Sequence, residues 1–126
     1  MSTIRIESIS MEQAAEAIGR MAREHPRHTA AILRRSGARI VTKAAVLTPV
    51  DTGYLLSQNG YDVAVGSDGV TLTVHNRLPY AVYQHDKPHR HPKAGARDHF
   101  LSIPFAAQLP AIVRDIVAAD IEEVTK

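Results

Sequence analysis

The stretch RHTAAILRRSGARIVTKAAVLTPVDTGYL, Arg27 to Leu55, decides how the rest of the chain is read. Leu33, Ile40, Ala44 and Leu47 recur at helical spacing, with Ala30, Gly37 and Val41 at the edge of the same face, which predicts an amphipathic helix from about Arg27 to Leu47. Pro49 should stop it, because proline lacks the amide hydrogen and disfavours helical backbone in the residue before it. Asp51 can bond to its own downstream backbone and Gly53 can take positive φ, so the sequence PVDTG has the chemistry of a tight reversal. Asp-Thr-Gly is also the signature tripeptide of aspartic proteases, which place two such aspartates around one water within mostly β domains. Here the tripeptide follows a strong helix and the chain closes in another, with no convincing glycine-rich flap. Turn chemistry already accounts for Asp51 and Gly53, so the reading is architectural.

Working outward toward the N-terminus, Pro26 separates this helix from an earlier one. Ser10 reads as an N-cap with Gln13 completing a capping box, and predicts a helix from Met11 to about Glu24. Thr3 to Ile6 alternates polar with apolar and reads as a short strand. Working toward the C-terminus, Tyr61 to Val65 and Val70 to Val74 alternate at period two around the turn Gly66-Ser-Asp-Gly69, which predicts a hairpin. Tyr80 to Tyr83 fits either a third strand or a short helix. A final helix should begin near Ser102, a candidate N-cap, with Pro104 in its first turn. Leu109, Ile112, Val113, Ile116, Val117 and Val124 form its apolar stripe, and Asp115, Asp120, Glu122 and Glu123 lie largely off it. Pro110 should kink this helix or divide it.

The polar side of the central helix carries Arg27, Arg34, Arg35, Arg39 and Lys43, interrupted by Ile32 and Val46. Cations in such a row, with almost no carboxylate, can track a phosphate backbone. The two apolar residues among them point equally to contact with another subunit or another helix. A plain solvated face is the competing reading. The acidic outer face of the last helix is a candidate complement to this basic face in a neighbouring copy.

Composition narrows the function classes. At 126 residues the chain fits one domain, 1–126, with a sizeable core. It has no cysteine, which excludes disulfides and thiolate metal sites. No apolar run approaches the roughly 20 residues of a membrane span, and the start has no signal-peptide character, so a soluble, cytosolic product with no membrane partner is expected. The net charge of +2 divides unevenly: the chain up to Val50 has eight Lys/Arg against four Asp/Glu, and the remainder has seven against nine. Four histidines, His85, His89, His91 and His99, fall in the loop-like QHDKPHRHPKAGARDHF. Imidazoles ligate zinc and copper, but the spacing matches no metal motif, so no metal and no cofactor are expected. With four Tyr and two Phe in all, single-strand nucleic-acid binding by base stacking is not expected.

The order of a short strand, a helix, a long helix ending in TPVDTGYL, a hairpin, VHNRLPYAVYQH, a basic loop, FLSIP and a final amphipathic helix resembles the small neck proteins of long-tailed bacteriophages. These are also described as minor capsid, tail-completion or head-tail joining proteins. The residues that carry the resemblance are Pro49, Asp51, Thr52, Gly53 and Leu55, then Asn76, Tyr80, Ala81 and Tyr83, then Phe100 and Leu101. The chain departs from the family pattern at Leu56 and Gln58, which flank Ser57, and at His85, where a carboxylate is usual. The resemblance implies an α+β fold and no catalysis. It also implies a place in the virion, after assembly in the bacterial cytoplasm, as a ring homo-oligomer, expected to be a hexamer. The ring would contact head-closure and tail proteins and meet passing double-stranded DNA non-specifically. On that reading Asn76, Tyr80, Ala81, Tyr83, Phe100 and Leu101 are sheet-end and interface residues. The expected fold is a small antiparallel sheet packed against a long amphipathic helix, with N-terminal and C-terminal helices. The rival function is a nucleic-acid-binding module using the basic face of residues 27–47.

Overall fold

The computed structural model describes residues 10–48, 57–67, 69–76 and 100–126. The Thr3 to Ile6 strand, the PVDTG reversal with Leu55, the Tyr80 to Tyr83 segment and the histidine loop all lie outside the described residues. The described elements run in the order α1 (Met11–Glu24), α2 (Pro26–Leu47), β1 (Asn59–Gly66), β2 (Gly69–Asn76) and α3 (Ser102–Thr125). The fold is α+β, with a two-stranded antiparallel sheet packed on a long central helix.

Local chemistry sets the ends of the helices. Ser10 Oγ accepts from the Gln13 amide at 3.1 Å and Gln13 Oε1 accepts from the Ser10 amide at 3.1 Å, the reciprocal capping box. His25 caps the end of α1, its amide donating to Met21 O, and its own carbonyl accepts from the Thr29 amide. Pro26 is the first residue of α2, where its missing N–H costs no intrahelical bond. The start of α3 differs from expectation. Leu101 occupies the N-cap position in helical backbone with no side-chain cap, and Ser102 is already inside the helix.

α3 is one continuous helix with Pro110 inside it, so the expected division does not occur. Pro110 and Ala106 are both exposed, and the carbonyl that loses its intrahelical donor therefore lies on the side open to water. By length and composition alone α3 is also apolar enough to cross a membrane, contrary to the expectation that no segment would be. Its place in the fold is that of a core helix: Ile112, Ile116 and Ala119 pack with Met21, Ile32, Leu33 and Ile40.

α2 is covered by two bodies. On one flank Gly37 lies under the hairpin, so close that a Cβ there would sit 2.6 Å from Tyr61 Cδ2 and 3.0 Å from Leu72 Cδ1. On the other flank Arg39 reaches Asp115 of α3. Ile32 is seven residues before Arg39 and so shares that flank; of the two contacts expected for it, another subunit or another helix, the structure shows the helix, with Ile32 1% exposed in the core beside α3. A single helical stripe is too narrow a description for a helix packed from both sides.

The hairpin pairs Tyr61 with Val74, Val63 with Leu72 and Val65 with Val70 on one face. Of these, Val63, Val70, Leu72 and Val74 pack on the core cluster, while Asp62, Ala64, Thr71 and Thr73 of the alternate face are exposed. Gly66 pairs with Gly69 across the tight turn. Gly69 has φ +143°, a conformation that side chains rarely adopt.

Candidate subunit interface

The basic row expected on α2 is present as a surface. Arg27, Arg34, Arg35, Arg39 and Lys43 are all exposed, and Val46 among them is 62% exposed. Only Arg39 of the five makes an ion pair with a described residue, to Asp115 at 3.5 Å with both side chains substantially exposed. A pair of that length and exposure contributes little. The other four form a cationic strip without a described carboxylate.

The acidic outer face expected on α3 is largely absent, because its carboxylates are engaged within the chain. Asp120 is 5% exposed and receives a bidentate contact from Arg20 of α1, Nε to Oδ1 at 2.8 Å and Nη2 to Oδ2 at 2.6 Å. The planar guanidinium matches the carboxylate plane, which gives the pair orientation as well as attraction. The Asp120 hydrogen bond and charge hold the Arg20 guanidinium above its ordinary pKa. Glu123 collects three cationic or potentially cationic partners: His28 Nδ1 at 2.9 Å, Lys126 Nζ at 3.1 Å and His25 Nδ1 at 3.3 Å. The hydrogen bond from Lys126, then that from His28, keeps its carboxyl below the usual range. With Asp115 leaning to Arg39, only Glu122 of the four expected carboxylates remains exposed without a described partner.

These contacts pin α3 to the α1–α2 corner. Reading the sequence did not find Arg20, His25 or His28, and a signal for one of the pairs was present. Ile112, Ile116 and Asp120 are spaced by four and form one row on α3, so Asp120 continues a buried row and requires a cation to join it there.

A second junction lies at the open end of the hairpin. Thr48, fully buried, donates from Oγ1 to Ala44 O at 2.7 Å and accepts from Asn59 Nδ2 at 2.8 Å. Asn76 Nδ2 in turn donates to Asn59 Oδ1 at 3.0 Å. The end of α2, the start of β1 and the end of β2 are thereby joined through side chains, and Asn76 takes the sheet-end position expected of it. One residue inward, His75 Nε2 stands 2.9 Å from Asp62 Oδ2, but in an orientation that makes no aligned hydrogen bond.

Of the remaining expected interface residues, Phe100 is fully buried and Leu101 partly buried. Phe100 therefore anchors the start of α3 and is not surface in this chain. Tyr80, Ala81 and Tyr83, like Pro49, Asp51, Thr52, Gly53 and Leu55, lie outside the described residues. Among the described residues no group of three or more His, Cys, Asp or Glu is arranged to hold a metal ion. Compared with known protein families, curated proteins and solved structures, the chain matches none.

Proposed function

We propose that this chain is a structural subunit of an oligomeric ring at the head-tail junction of a long-tailed phage or prophage, joining head to tail and leaving a passage for DNA. The observation that carries the reading is the Thr48–Asn59–Asn76 junction. The two segments that hold most of the family-like motifs, 49–56 and 77–99, depart from the residues this junction ties together. A helical body whose α2 end and hairpin end are tied together where the motif-bearing sequence continues suits a subunit that must engage neighbours on a closed ring. The role requires neither catalysis nor a cofactor. A lumen for passing DNA needs only polar or mildly basic walls, since each phosphate contact adds salt-sensitive affinity that would retard passage.

The test is deletion of the gene from an inducible phage genome, followed by complementation. Tailless filled heads beside free tails are expected without the protein, and joined particles on its return. Intact infectious particles in its absence would refute the reading.

The rival reading, a nucleic-acid-binding module, is favoured by one observation: Arg27, Arg34, Arg35 and Lys43 have no described carboxylate partner. A ring subunit should bind duplex DNA only non-specifically, with a dissociation constant on the order of 10⁻⁴ to 10⁻⁶ M at physiological salt. Tight, sequence-selective binding that is lost in an Arg34→Gln, Arg35→Gln, Arg39→Gln variant would favour the module, provided that head-tail joining is unaffected.

A further inference from the structure

With Asp120 and Glu123 of α3 engaged inside the chain and Asp115 turned to Arg39, Glu122 alone makes too small a complement to the basic strip of α2, and a larger one has to be sought elsewhere. The exposed side of α1 supplies one. Glu12, Glu16 and Glu24 are exposed and make no ion pair with a described residue. The charge of Arg20 on the same helix is balanced by Asp120, which leaves Arg23 as the one other cation of α1 and, against the three carboxylates, a local net charge of −2. The α2 strip, with Arg39 set aside to Asp115, carries Arg27, Arg34, Arg35 and Lys43, a net of +4. Arg27, Arg34 and Arg35 share one side of α2, within about 100° of arc, and Lys43, nine residues after Arg34, is turned about half a circle from it. At 1.5 Å per residue the three arginines span roughly 12 Å and the α1 carboxylates roughly 18 Å, so the acidic row is long enough to cover them.

We infer that the occupant of the basic α2 face is the acidic α1 face of a second copy of this chain, with Arg27, Arg34 and Arg35 set against Glu12, Glu16 and Glu24. The contact joins two different patches, so it is heterologous: each copy offers its α1 to one neighbour and its α2 to the other, and the chain of contacts closes into a ring if the rotation allows. Exposed Val46, eleven residues after Arg35 and on the same side of α2, extends the face that this contact would cover. This inference rests on the ring reading and assigns its subunit interface.

Two charge-reversed proteins and their mixture test it: Glu12→Lys with Glu16→Lys, and Arg34→Glu with Arg35→Glu. Alone, each sets like charge against like and should self-associate at least about tenfold more weakly than the wild type in sedimentation velocity. Mixed in equal amounts, the Lys-bearing α1 meets the Glu-bearing α2 and the two unaltered faces meet each other, so association should return. The wild-type association should also weaken as NaCl rises. Circular dichroism and thermal melts establish that each variant is folded, Glu12 being in the first turn of its helix. If a reversed protein does not fold, the corresponding Gln variants replace it, and wild-type-like association by them overturns the inference. Variants that associate like the wild type, or a mixture that fails to recover, overturn this interface while leaving a ring built on other surfaces standing. A wild-type protein that stays monomeric up to millimolar concentration overturns the inference and the ring reading together. Loss of duplex DNA binding by Arg34→Glu with Arg35→Glu, with self-association unchanged, assigns the face to DNA and overturns the inference.

Discussion

Gly37→Ala tests whether the hairpin is seated on α2 as described, because two effects of opposite sign meet at that position. Alanine in a helix interior is favoured over glycine by about 1 kcal/mol, so an α2 open on that side would be stabilised by the change. With the hairpin in place, the new Cβ would stand 2.6 Å from Tyr61 Cδ2 and 2.7 Å from Tyr61 Cγ. Ordinary carbon contacts are about 3.5–4.0 Å, so the ring would have to retreat by about 1 Å. The atoms struck are at the base of the ring and not at the free end of a flexible chain, so the strand must move with them. Overpacking of this kind costs about 1–3 kcal/mol, and the net effect should be a destabilisation of up to about 2 kcal/mol. In a Tyr61→Ala background the ring contacts are gone and only Leu72 Cδ1 at 3.0 Å, the free end of a flexible side chain, has to give, so the same Gly37→Ala change should range from neutral to stabilising by about 1 kcal/mol. Urea denaturation followed by circular dichroism on the four proteins measures both values. A stabilising Gly37→Ala in the wild-type background, or equal effects in the two backgrounds, would refute the packing of Tyr61 against Gly37.

Asp120→Ala should lower Tm by more than Asp120→Asn, because Ala leaves Arg20 with no acceptor at that site; equal Tm values for both variants and the wild type would show that the pair contributes nothing. Asn59→Ala should cost about 1–2 kcal/mol by leaving buried Thr48 and Asn76 each one partner short, and hydrogen exchange should quicken at the open end of the hairpin before the turn. The pH dependence follows from Glu123, whose folded pKa is depressed: its contribution is present above the ordinary carboxylate pKa and is lost as pH falls through the lower folded value. Wild-type Tm should therefore decline more steeply than that of Glu123→Gln from about pH 5 downward, and parallel curves would contradict this.

The elements that were legible in the sequence are those whose cause is local. The Ser10–Gln13 box needs residues three apart, and the hairpin needs alternation on either side of one turn, so both could be read within a short window. The same holds for Leu33, Ile40 and Ala44, whose spacing alone places them on the buried face. Ile32 was not legible in this way, because its burial depends on α3, which begins 70 residues later in the chain and covers a second flank of α2. Arg20 and Asp120 are 100 residues apart, and no periodicity within either helix names the other. For the interface, the charge asymmetry between the two halves was visible from composition. Which carboxylates remain free to meet a partner depends on which are taken by internal contacts, and only the packed structure distributes them.

That distribution separates the electrostatics of folding from those of assembly. Asp120 is nearly enclosed and bidentate, so ions in solution have little access to its contact with Arg20. Glu12, Glu16 and Glu24 of α1, and Arg27, Arg34, Arg35 and Lys43 of α2, are in open water, where the Debye length falls from about 10 Å at 0.1 M salt to about 3 Å at 1 M. A surface built from these residues gains and loses its neighbours with ionic strength while the helices beneath it keep their mutual pairs. Two helical faces of opposite sign on one stable body could thus hold a neighbour on each side without the fold itself depending on the contact. The reassignment of Asp120 and Glu123 to internal pairing therefore moves the acidic half of the proposed contact to α1 and leaves the need for a complement to α2 unchanged.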